Sequence, residues 1–67
     1  MIRLDTWHYA YGQSTSKHHD EAYEGVLRIY EAFLKDGLHP KMVATYVDSD
    51  TREEIEVLRY EKMVGRP

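Results

Sequence analysis

Residues 17–36 read KHHDEAYEGVLRIYEAFLKD, and this stretch decides the fold. Tyr23, Val26, Leu27, Tyr30, Phe33 and Leu34 recur at spacings of three and four, and Ala22 and Ile29 widen the stripe. Such spacing gathers apolar side chains on one face of a helix and predicts that Phe33 and Leu34 sit mid-stripe against a core. Asp20 and Glu21 lie near the positive end of the helix dipole and Lys35 near the negative end. Gly37 stands where a left-handed C-cap is needed, and Pro40 prevents continuation.

Outward from this helix the chain reads as strands. Residues 2–11 alternate at first, with Ile2, Leu4 and Thr6 against Arg3 and Asp5, and then run into Trp7, His8, Tyr9, Ala10 and Tyr11. Aromatic and β-branched residues suit a pleated, half-buried surface. Residues 12–16, GQSTS, are small and polar and read as a loop. Residues 41–48, KMVATYVD, predict a second strand, and residues 49–52 a turn. Residues 53–62, EEIEVLRYEK, fit either a helix capped by Asp50 or a strand. As a helix their apolar residues scatter around the axis. As a strand they alternate, with one phase slip at Val57–Leu58 that a bulge would absorb, and the strand is preferred.

The expected fold is therefore α+β, a single domain over residues 1–67 in the order β-α-β-β. It has a three-stranded, mainly antiparallel sheet with one helix on one face. The last strand is placed centrally, antiparallel to both neighbours. At 67 residues and 7.9 kDa the chain buries about 60% of its unfolded surface, so its stability is marginal without a partner. The uncovered sheet face and open edges predict a homodimer.

Composition narrows the functions. Zero cysteines remove disulfides, thiolate metal sites and a thiol nucleophile. A net charge of −3 and a pI of about 5.7 disfavour a binder of nucleic-acid backbone, which needs excess Lys and Arg. No apolar run approaches the roughly 18 residues of a membrane span. The opening MIRLDTWHYAYG lacks the pattern of a secretion signal, so the cytoplasm is the expected compartment.

No pattern specifies catalysis or a cofactor. His18 and His19 are adjacent, pointing about 100° apart on a helix, whereas a zinc helix needs histidines four apart. His8 or His39 would have to complete such a site, and no metal is expected. Ser14, Thr15, Ser16 and His18 lie close in sequence but lack a base oriented by a third group. The four glycines are too dispersed for a phosphate loop.

Two surfaces remain. Trp7, Tyr9 and Tyr11 would share one face of an unbroken first strand and could serve as core or as contact surface. Asp48, Asp50, Glu53, Glu54 and Glu56 crowd the last hairpin against Arg52, an acidic patch suited to a basic partner. Residues 51–64, TREEIEVLRYEKMV, resemble the last strand of the small phage inhibitors of uracil-DNA glycosylase. The resemblance covers about a fifth of the chain in generic strand chemistry and a different element order, so it implies a class rather than a family.

Elimination leads to a non-enzymatic protein-binding module: an inhibitor, adaptor or regulatory protein, with a phage or mobile element as one expected source. Its expected contact residues are Trp7, Tyr9, Tyr11, Asp48, Asp50, Glu54 and Glu56. The alternatives are a nucleic-acid module built on the aromatic strand with Arg3, Lys17, His18 and His19, or a small metal protein or enzyme at a dimer seam.

Overall fold

The computed structural model describes residues 1–18 and 23–62. Its elements run β1 (Ile2–His8), β2 (Gly12–His18), α1 (Tyr23–Asp36), β3 (Lys41–Val47) and β4 (Glu54–Glu61). Among the described residues the class is α+β with one helix and an antiparallel sheet, as expected. The sheet has four strands rather than three, in the order β2-β1-β3-β4.

The extra strand is β2, which occupies the stretch expected to be a loop and also takes Lys17 and His18 from the predicted helix. The first strand ends at His8, and Tyr9, Ala10 and Tyr11 form the turn of a β1–β2 hairpin. Gly12 follows at φ +83°, a backbone geometry that glycine adopts without strain. Residues 19–22, including His19, Asp20 and Glu21 of the predicted helix start, lie outside the described residues.

This hairpin changes the topology. β2 returns antiparallel to β1, so the helix leaves from the opposite end of the sheet from the one expected. β3 then enters beside β1 and antiparallel to it, and β4 is an edge strand rather than the central one. The slip expected near Val57 is present: Leu58 pairs with Ala44 and Glu56 with Thr45, leaving Val57 as the extra residue of a bulge.

Side chains opposite each other in register share a face. Ile2, Leu4 and Thr6 of β1, Met42 and Ala44 of β3, and Leu58 and Tyr60 of β4 share the helix side. Val26 and Ile29 of α1 close a core over Ile2, Leu4, Ala44 and Leu58. Leu4 is 2% exposed, and Val26 and Met42 are fully buried. Phe33 and Leu34 do not centre the stripe. Leu34 is largely exposed, and Phe33 is half-buried and stacks on His39 with ring centroids 4.2 Å apart. The helix ends as expected, with Gly37 at φ +70°. The Asp36 carboxylate also accepts the Leu38 N–H at 2.8 Å.

Candidate functional site

The seven predicted contact residues fall into three places. Tyr9 and Tyr11 lie on the β1–β2 turn, at the end of the sheet where α1 finishes. Asp48 and Asp50 lie on the β3–β4 turn, at the opposite end. Seven-residue strands separate the two turns by about 20 Å. Between them Trp7, Glu54 and Glu56 lie on the sheet face away from the helix. Trp7 therefore does not form one row with Tyr9 and Tyr11, because the strand stops at His8.

The aromatic turn is fixed from beneath. The Tyr9 N–H donates to the Leu38 carbonyl at 3.1 Å, tying the turn to the segment after the helix. The Ala10 N–H donates to His8 Nδ1 at 3.0 Å, which requires that nitrogen to be unprotonated. The His8 ring lies 4.7 Å from Tyr11 and meets His39 edge-on at 5.1 Å, and His39 stacks on Phe33. Asp36 Oδ1 lies 3.2 Å from His39 Nδ1. The Leu38 N–H bond, followed by the bond to His39, holds the Asp36 carboxyl below its ordinary range. On this base Tyr9 is 56% and Tyr11 86% exposed, with Leu38 also exposed nearby. Sequence reasoning missed Leu38 and the supporting cluster of His8, His39 and Phe33. These side chains come from β1, α1 and the segment after it, and no local spacing links them.

The acidic end is different in kind. Asp48 Oδ1 accepts the N–H groups of Asp50 at 2.8 Å and Thr51 at 3.0 Å. Those two bonds, that from Thr51 the larger, lower the Asp48 pKa. The Asp48 carboxylate is thus occupied in shaping its own turn. A cavity of about 250 Å³ opens beside it, lined by Met1, Val47, Asp48, Ser49 and Arg52. That is below the usual size of a small-molecule site, roughly 300–1,000 Å³.

The face away from the helix is a charge lattice. Arg3 bonds Glu54 at 2.8 Å and Asp5 at 3.1 Å, and Arg59 meets Glu56 at 2.7 Å. Lys41 lies 3.5 Å from Glu61 and places its ammonium 4.6 Å from the centroid of the Trp7 ring. Glu54 and Glu56 thus each have a cationic partner on their own sheet. Asp5 is buried beneath this lattice and also accepts the Thr15 hydroxyl at 2.8 Å.

Among the described residues no group of three or more His, Asp or Glu side chains is placed to hold a metal ion. Among them, too, no helix is long and apolar enough to cross a membrane. No protein family, curated protein or solved structure matches the chain.

Proposed function

We propose that this chain is a small non-enzymatic protein-binding module, acting as an inhibitor, adaptor or regulatory protein, and that Tyr9 and Tyr11 are its energetic anchors. One observation carries the reading: two large aromatic side chains stand exposed on a turn held by two hydrogen bonds and a cluster of three packed rings. Tyrosines on a stiff support lose little conformational freedom when a partner covers them, and such residues dominate binding energy.

The acidic turn plays a second part in this reading. It lies too far from Tyr9 to rim the same small contact. It acts through its field, steering a basic partner and setting the association rate. Trp7, beneath Lys41, contributes where a partner extends along the open face. The module works as a homodimer, which relieves the marginal stability of so short a chain.

The test begins with affinity capture of the partner from the native host and proceeds to binding kinetics. Tyr9→Ala is expected to keep its fold and to dissociate about 30-fold faster, equivalent to about 2 kcal/mol. The E54K/E56K variant is expected mainly to slow association. An unchanged dissociation rate for Tyr9→Ala, with binding abolished by the charge reversals in a folded variant, would move the site to the sheet face that carries Glu54 and Glu56. Salt-sensitive binding of single-stranded DNA by the wild type, lost in Tyr9→Ala, would replace the protein partner with a nucleic acid.

A further inference from the structure

The two outer strands are guarded differently. β4 carries Glu54, Glu56, Arg59 and Glu61 and is bent by the Val57 bulge, devices that discourage another strand from adding to an edge. β2, GQSTSKH, has no proline and, within its span, no acidic residue. Its register with β1 runs unbroken through seven pairs, from Ile2↔His18 to His8↔Gly12. The residues from Gly12 to Lys17 are all exposed, because the core lies over β1, β3 and β4. Among the described residues no strand pairs with the outer edge of β2. That edge presents a straight row of backbone donors and acceptors, which is a template for strand addition.

We propose that the outer edge of β2 docks on β2 of a second copy, antiparallel about a two-fold axis through Thr15, to make one continuous eight-stranded sheet. This deepens the homodimer reading above and rests on it. The occupant follows from the self-complementarity of the strand. About Thr15, Ser14 faces Ser16 of the other copy and Gln13 faces Lys17, so small residues meet small ones and no like charges are opposed. A two-fold axis perpendicular to the sheet must pass through a residue, since only residues of equal parity share a face. Centring on any residue other than Thr15 shortens the ladder, and centring on Lys17 sets two ammonium groups against each other. Charge favours the same edge. Each chain carries −3, yet the acidic hairpin lies on the far side of the sheet, with β1 between β2 and β3. Two copies thus meet through strands that carry no acidic side chain.

The experiment is sedimentation equilibrium of the full chain over a concentration series, with paired variants on exposed positions of β2. The wild type is expected to dimerise. In S14K/S16K each substituted residue faces its like across the axis, and S14E/S16E does the same with the opposite sign. Each variant alone should raise the dimer dissociation constant at least about tenfold. An equimolar mixture of the two should restore dimer, as a heterodimer resolved by native mass spectrometry. Circular dichroism of each variant guards against loss of fold, and rescue in the mixture is independent of either variant alone. If the wild type dimerises and the variants do so equally well, the β2 edge is not the seam although the homodimer stands. If the wild type is monomeric throughout the series, both fail.

Discussion

Truncating Leu4 should be among the most damaging single changes in this chain. Leu4 is 2% exposed on a central strand and packs with Ile2, Val26 and Ala44. Its register partners are Ala44 on one side and Ser16 on the other. Neither has a side chain long enough to swing into the space left by Leu4→Ala. Buried Leu→Ala changes cost about 2–5 kcal/mol, rising with the volume left empty, so poor collapse here points to about 3–5 kcal/mol. A core in a chain this short rarely supplies more than about 3–5 kcal/mol in total, so the variant should be largely unfolded. Leu4→Val keeps most of the volume and should cost about 1 kcal/mol, bringing the effect into measurable range. Urea denaturation followed by circular dichroism gives the Leu4→Val cost, and the spectrum without denaturant shows whether Leu4→Ala folds at all. Phe33→Ala is the contrast: it removes a half-buried ring stacked on His39 and should cost about 1–2 kcal/mol. A Leu4→Ala protein melting within about 1 kcal/mol of wild type, or a Phe33→Ala protein more damaged than it, would refute this core.

Arg52 holds a left-handed backbone at φ 65°, so Arg52→Gly should stabilise the protein by about 0.5–1 kcal/mol, read as a shift in urea midpoint. Asp36 and Asp48 titrate below the ordinary carboxylate value of 3.8 in the fold. Their stabilisation is therefore present above that value and is lost as pH falls through the depressed folded one. Replacing both with Asn should flatten the acid limb of stability against pH. Among binding variants, Tyr11→Ala should resemble Tyr9→Ala in accelerating dissociation, since both rings stand on the same turn.

The parts of the fold legible in the sequence are those held by apolar periodicity or backbone geometry. The stripe of α1 placed Val26, Ile29 and Tyr30 inward, and Gly37 marked its end because φ +70° suits glycine. The broken alternation at Val57–Leu58 signalled the bulge. β2 was illegible for the complementary reason. A strand that buries neither face needs no alternating apolar residues, so GQSTSKH looks like a loop and is held by its ladder to β1 and the Thr15–Asp5 bond. Missing that strand reversed the direction of the crossover and misplaced β4. The same error extended the first strand through Tyr11 and put three aromatic residues in one row. Ion pairing was also hidden, since Arg3 and Glu54 lie far apart in sequence and meet only through the β1–β3–β4 register.

The central claim is that the aromatic turn, not the acidic one, makes the contact. Amide hydrogen exchange of this chain, free and bound to its captured partner, tests it directly, because the two turns lie at opposite ends of the sheet. The account predicts new protection on Tyr9, Ala10 and Tyr11 and on Leu38, with Asp50 to Glu53 exchanging as in the free protein. Protection centred on Asp50 to Glu56, with the Tyr9–Tyr11 turn unchanged, would contradict it.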